Sequence, residues 1–295
     1  MGREVPETYE QKREKIQAFN LTSDLFAGKV FEDLAACQEL CQILMQNPDL
    51  RLKDVKTQYT IRNLERHSAQ LDILAEAVNG SLINVELQMY KEKSPLRRTR
   101  YYTSCIDMSI LDKGKDYQEL PYVTILYITK GDFIGGRKGF YQIKRTAEGK
   151  AAAAVELDNG VCEKYFNLKY TTGSKKINEL LRYLKKSDPF YHTEVFPRIV
   201  ERVNFYKVQK KGVDIMCEIA DKIRQEGKKE GREEGREEGR IEGKTEAVLE
   251  LLAELGKIPS RIIQQVRQET DLDVLSRWLR CAASASDLTE FEARM

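Results

Sequence analysis

The stretch from Gln70 to Met89 reads QLDILAEAVNGSLINVELQM. Two short runs flank Asn79-Gly80, a dipeptide that favours tight turns between strands, and the pattern predicts a β-hairpin. Side chains alternate along a strand, so residues two apart share a face. On the second run Ile83, Val85, Leu87 and Met89 form an apolar face, while Asn84, Glu86 and Gln88 form a polar one. On the first run Leu71, Ile73, Ala75 and Ala77 are apolar, Gln70, Asp72 and Glu76 are polar, and Leu74 is the exception. Loop length determines whether these faces coincide. A two-residue Asn-Gly loop pairs Val78 with Ser81 and sets Asp72 opposite Leu87, a slip that moves carboxylates onto the apolar face. A three-residue loop, Val78-Asn79-Gly80, pairs Ala77 with Ser81. Asp72 then faces Glu86, Gln70 faces Gln88, and Ile73 faces Val85. The expectation is a type I turn with Gly80 in the left-handed region as a G1 bulge, or an equivalent bulge elsewhere in the hairpin.

Working outward, residues 1–18 are polar and read as a loose arm. Leu21 to Gln46 reads as one or two helices, started by Thr22 or Ser23 and ended by Asn47-Pro48. A strand is expected near Val55–Ile61. After the hairpin, Ser94-Pro95 opens a helix as cap and first helical residue, which runs to about Asp112 and stops near Gly114. Tyr122–Thr129, YVTILYIT, is a buried strand. This helix–strand–strand–strand–helix–strand order is an α/β layer arrangement. Further strands are expected at Gly139–Arg145, Ala152–Leu157 and Glu163–Leu168. From Ser174 the chain turns helical, over Lys176–Lys185 and Glu194–Arg224. Next, EGKKEGREEGREEGRIEGK (226–244) places glycine at 227, 231, 235, 239 and 243. In a helix these form one bare stripe flanked by charges at ion-pair spacing. It reads either as a helix–helix contact or as a solvated spacer. Thr245–Leu255, a start near Ser260, and Leu272–Ala283 around Trp278 then make a small helix cluster.

The chain has 295 residues, 41% apolar and 33% charged, with net charge +2. Global charge therefore gives no sign of nucleic-acid binding, and any basic surface must be local. Six cysteines lie scattered without a CxxC pair, as expected of reduced cytosolic thiols. Two histidines, His67 and His192, give little support to zinc or imidazole chemistry. No apolar run is long enough for a bilayer span, and MGREVPETYEQKREK lacks a signal-peptide core. A cytoplasmic protein with no membrane partner is expected.

Two carboxylates on one hairpin face are a candidate site for a divalent metal. Mg²⁺ needs one or two carboxylates, with waters and phosphate oxygens completing its octahedron. In phosphodiester cleavage such an ion activates water and neutralises charge on the phosphate. Asp72 and Glu86 meet that demand, and a solvated polar strand face is the plainer alternative. Beyond the hairpin, Lys91, Lys93, Arg97, Arg98 and Arg100 against Glu92 give five cations to one anion, a surplus of four. Arg98, Tyr101 and Tyr102 share a helical face, where arginines can clamp phosphates.

The segments LTSDLFAGKVFEDLAACQELCQIL (21–44), LDILAEAVNGSLINVELQ (71–88) and RRTRYYTSCIDMSILDKGKDYQEL (97–120), with the EEGREEGR spacer, resemble the PD-(D/E)XK nuclease family transposases, or recombination-promoting nucleases. The resemblance implies a restriction-endonuclease-like core (α-β-β-β-α-β) with added strands and a helical C-terminal extension. It divides the chain into an arm (1–18), a nuclease-like core (19–172), a helical extension (173–225), the Gly/Glu/Arg spacer (226–244) and a helical tail (245–295). It implies a DNA endonuclease dependent on Mg²⁺ or Mn²⁺ and associated with recombination or mobile elements. Asp72 and Glu86 match the two acids and are the expected metal ligands, with the Leu87 carbonyl. Gln88 stands where the motif has lysine; ExQ is common in this family, and glutamine supplies hydrogen bonds without charge. An acid from the first core helix is also implied: Asp24, with Glu32 and Asp33 as rivals. Arg98 and Tyr102 match the R-x-x-x-Y pattern and, with Arg97, are expected to contact DNA. The alternative is a weak or inactive DNA-binding scaffold on the same core. Strand transfer is not expected, for want of a helix-turn-helix or end-binding domain. A homodimer through the C-terminal helical region is the expected protein partner.

Overall fold

The hairpin forms in the register its alternation requires. In the computed structural model, which describes residues 8–62, 67–90, 95–149 and 152–295, Ile73 stands opposite Val85 and Leu74 opposite Asn84. The Ala77 N–H donates to the Ser81 carbonyl (2.9 Å) and the Gly80 N–H to the Ala77 carbonyl (2.9 Å), closing a three-residue loop. Gly80 takes φ +83°, a left-handed conformation that glycine enters without a Cβ clash.

Helices α1 (Tyr9–Gln17), α2 (Asp24–Phe31) and α3 (Leu34–Met45) precede strands β1 (Leu52–Ile61), β2 (Ala69–Ala77) and β3 (Leu82–Gln88). Then come α4 (Pro95–Ile110), β4 (Val123–Thr129), β5 (Phe140–Ile143), β6 (Arg145–Gly149), β7 (Ala152–Leu157) and β8 (Val161–Asn167). The rest is helical: α5 (Lys175–Lys186), α6 (Pro197–Val208), α7 (Lys210–Glu254), α8 (Ser260–Gln268), α9 (Leu272–Ser284) and α10 (Leu288–Arg294). The main sheet has the order β1-β2-β3-β4-β8-β5, and β6-β7 form a separate pair. The hairpin strands are antiparallel, whereas β3, β4 and β8 are parallel. Parallel neighbours need a crossover, which α4 supplies between β3 and β4. Every residue of β4 is buried, as expected of a central strand covered on both faces.

Two cores flank the sheet. Ile73, Ala75, Val85, Leu87, Leu126 and Ile128 pack with residues of α1–α3, α5 and α6. On the opposite face Leu74, Ile125, Tyr127 and Tyr165 lie with Tyr102, Cys105 and Ile106 of α4. Asn84 and Glu86, even-numbered on β3, share this second face and are fully buried.

Several expectations need correction. The arm contains a helix: Thr8 and Gln11 form a reciprocal capping box on α1, Ile16 is buried, and the Tyr9 hydroxyl donates to the Val208 carbonyl. The single helix expected over Glu194–Arg224 is broken at Gln209, whose ψ of 133° is extended. A Cβ on Gly212 would come within 2.1 Å of the Phe205 carbonyl oxygen, so the close turn from α6 into α7 requires glycine there. Helix α4 ends at Ile110, earlier than expected; Ser94, the expected cap, lies outside the described residues. The strand read over Gly139–Arg145 is divided into β5 and β6.

The chain divides into two compact units, Met1–Glu218 and Ile219–Met295. In the second, the glycine repeat lies within α7, and a Cβ added at Gly227, Gly231, Gly235, Gly239 or Gly243 would meet nothing within 4 Å. Its core contains Val248, Leu252, Ile262, Val266, Leu275, Trp278 and Phe291. Helix α10, absent from the expectations, is capped by Asp287, whose carboxylate accepts the Glu290 N–H at 2.9 Å. No described helix is long and apolar enough to cross a membrane.

Candidate active site

The hairpin brings its acids together. Asp72 Oδ2 accepts the Leu87 N–H at 2.8 Å, and Glu86 Oε1 accepts the Asp72 N–H at 3.3 Å. Gln88 Nε2 donates to Glu86 Oε2 at 3.4 Å. Asp72 and Gln88 line an open cavity of about 770 Å³ together with Asp24, Arg97, Arg98 and Tyr102. Glu86 does not line it: at 0% exposure it lies within the protein behind Asp72 and Gln88. The Leu87 side chain belongs to the opposite core, and its N–H is the group turned to Asp72.

Asp24 reaches the cavity because it opens α2, where a carboxylate complements the helix dipole. Its rivals are used elsewhere. Glu32 pairs with Lys29 at 2.6 Å. Asp33 caps α3 by accepting the Ala36 N–H at 3.0 Å and lies 3.7 Å from Arg202. On α4, Arg98 Nε donates to the Tyr102 hydroxyl at 2.7 Å, and its guanidinium lies 5.2 Å from the Tyr102 ring centroid. Tyr101 also lines the cavity and donates to the His67 carbonyl. Of the basic surplus, Arg97, Arg98 and Arg100 are on α4; Lys91, Glu92 and Lys93 lie outside the described residues.

Gln58 also lines the cavity, and sequence reasoning missed it. It sits in β1 with φ +50°, a conformation costing a non-glycine residue about 1–3 kcal/mol. Its Oε1 accepts Gln70 Nε2 at 2.9 Å. It packs against α2 at Gly28, where a Cβ would lie 3.6 Å from Gln58 Cγ, an ordinary contact. No residue pattern in β1 marks this kink.

The acids stand in an unfavourable field. Burial pushes the Asp72 carboxyl up to about 6; nearby Asp24 adds to this, while the Leu87 N–H, Arg98 and Gln58 oppose it. Burial, then repulsion from Asp72, hold the Glu86 carboxyl well above the usual range, against the opposing pull of Asn84, the Asp72 N–H and Arg98. Burial likewise raises Asp24, offset by Arg98, and carries the Tyr102 hydroxyl to about 12. Arg98 is thus the cation common to all these groups.

The donor set suits a hard cation. The hairpin and α2 offer it carboxylates and amides, a combination matched to Mg²⁺ or Mn²⁺ rather than zinc; the one imidazole lining the cavity is His67, whose Nδ1 lies 2.7 Å from the Ser68 carbonyl oxygen. Among the described residues no three His, Cys, Asp or Glu side chains are grouped as metal ligands. Two carboxylates beside a roomy cavity meet the smaller demand of Mg²⁺, which keeps most of its waters.

A mixed sheet with acids on its second and third strands, backed by helices, defines a PD-(D/E)XK restriction-endonuclease-like core. The model of the PD-(D/E)XK nuclease family transposases matches residues 40–181. The match spans Asp72, Glu86, Gln88, Arg98 and Tyr102; Asp24 lies before it. Comparison with curated proteins and with solved structures gives no match.

Proposed function

We propose that the chain is a divalent-cation-dependent DNA endonuclease that hydrolyses phosphodiester bonds, and that such cuts promote recombination. The observation carrying this reading is the convergence of Glu86 on Asp72, which lines one cavity with Arg97, Arg98 and Tyr102. Asp72, Glu86 and the Leu87 carbonyl would hold Mg²⁺ or Mn²⁺, with Asp24 assisting from α2. When bound, the cation supplies Lewis-acid charge to the phosphate and the attacking water. Gln88 orients that water or a phosphate oxygen through its amide. Arg97 and Arg98 clamp phosphates, and the Tyr102 hydroxyl, neutral across the physiological range, both fixes Arg98 and contacts DNA.

The test is plasmid DNA with Mg²⁺ or Mn²⁺, comparing wild type with Asp72→Ala. Metal-dependent nicking lost in the variant is expected; nicking that survives refutes the assigned site. One observation favours a second reading, DNA binding without cleavage: among the described residues no lysine lines the cavity, and Glu86 is unexposed. Salt-dependent DNA binding without cleavage in either metal would select it.

A further inference from the structure

Asn84 is buried at 0% exposure, and neither its Oδ1 nor its Nδ2 is within hydrogen-bond distance and angle of a partner, although its amide is close enough to Glu86 to favour the ionised carboxylate. It stands on β3 two residues before Glu86, hence on the same face, with Leu74 beside it on β2 and Ile125 on β4. A buried amide with donor and acceptor both unspent is costly, and each such group in a folded protein calls for a physical reason. Packing supplies none, because both cross-strand neighbours are apolar and leucine has a similar volume. One strand further on, the polar side chains are satisfied: the Tyr165 hydroxyl meets Thr99 Oγ1 at 2.8 Å and donates to Glu163.

The adjoining carboxylate has the complementary deficit. Glu86 is equally buried, and its two oxygens accept hydrogen bonds of 3.3 and 3.4 Å, both long for a carboxylate. A metal ligand is ordinarily oriented by a partner behind it, and loss of that partner weakens metal affinity. We infer that Asn84 is a positioning residue: its amide steadies the Glu86 carboxylate in the orientation that a cation shared with Asp72 requires. This rests on the metal-site reading above.

The experiment uses the full-length protein as wild type, Asp72→Ala, Asn84→Leu and Asn84→Ser. Mn²⁺ binding is followed by the paramagnetic resonance of the free ion, and melting is measured in EDTA. Asn84→Leu is expected to melt higher than wild type in EDTA, since two unpaired polar atoms are gone. It should nevertheless bind Mn²⁺ about 10–100-fold more weakly. Asn84→Ser, which keeps a hydroxyl donor, should fall between, and it decides the matter if the leucine variant does not fold. Wild-type affinity in the Asn84 variants, with binding still sensitive to Asp72→Ala, overturns the inference and leaves the metal site standing. An Asn84→Leu protein that melts lower in EDTA also overturns it, marking the amide as structural. Wild-type protein that binds no Mn²⁺, or whose binding ignores Asp72→Ala, overturns the metal site and this inference with it.

Discussion

Lys207 of α6 is 1% exposed, an unusual place for an ammonium group. Its Nζ donates to the Gln17 carbonyl at 3.2 Å and lies 5.5 Å from the Phe26 ring centroid. Burial lowers its pKa from the ordinary 10.5 to about 8, with Asp188 pulling the other way. At about 1.4 kcal/mol per pH unit, the interval from 10.5 to about 8 corresponds to a penalty of about 3 kcal/mol for keeping the folded lysine charged. That penalty is complete below pH 8. Between pH 8 and 10.5 the unfolded chain holds the proton that the folded chain releases, so stability rises with pH across this window. Lys207→Met removes the charge and keeps the stem's packing, but leaves the Gln17 carbonyl unpaired at a cost of about 1–3 kcal/mol. The variant should equal or exceed wild type by up to about 2 kcal/mol at pH 7, and its advantage should fall by about 3 kcal/mol by pH 10.5. Urea unfolding of both proteins at pH 7, 8, 9 and 10 measures this, and the tyrosines common to both cancel in the difference. A difference that stays flat over the series would mean that the buried ammonium carries no such penalty.

Glu39 of α3 caps a different helix: its carboxylate accepts the N–H groups of Arg198 (2.9 Å) and Ile199 (3.0 Å) at the start of α6, where Phe196 provides no side-chain cap. Glu39→Ala should cost about 1–2 kcal/mol, read as a loss of about 2–8 °C in Tm, with Glu39→Gln losing less. Gly→Ala at 231, 235 and 239 meets no steric obstacle and should add about 0.5–1 kcal/mol of helix stability per site, measured by circular dichroism; in light scattering, a drop from dimer to monomer in this variant would identify the glycines as a contact surface. Arg98→Ala should weaken DNA binding and reduce the slope of log K against log salt by about one; an unchanged slope would remove Arg98 from the phosphate contacts.

The hairpin was legible in the sequence because two independent signals agreed. Strand alternation required Ile73 against Val85, and the Asn-Gly turn allowed a glycine bulge, so a three-residue loop or an equivalent bulge elsewhere satisfied both. Helix α1 was hidden for the opposite reason. Its apolar content is low, and what orders it is distant in sequence: Ile16 in the core, and Tyr9 and Gln17 bonded to the backbone of Val208 and Lys207. The break at Gln209 was equally opaque, because both flanking segments carry helical periodicity and the turn depends on Gly212 fitting against Phe205. At the candidate site the pattern carried the strand residues and the R-x-x-x-Y pair. Gln58 depends on a left-handed backbone inside a strand, and Asn84 stands out only through burial without partners.

The position of Gln88 bears on where positive charge enters this site. A lysine at the end of β3 would place an ammonium on the strand beside the acids. Gln88 instead donates an amide N–H toward Glu86, which orients the carboxylate and neutralises nothing. The charge comes from the crossover helix: Arg98 acts on Asp24, Asp72 and Glu86 alike and is held by the Tyr102 hydroxyl. That arrangement separates two tasks that a strand lysine would combine, with orientation left to an amide on β3 and electrostatic balance to a guanidinium on α4. Burial lowers the pKa of an ammonium far more readily than it discharges a guanidinium, as the lowered value of Lys207 illustrates in this same chain. The guanidinium of Arg98 therefore faces these three acids with a charge that burial does not remove.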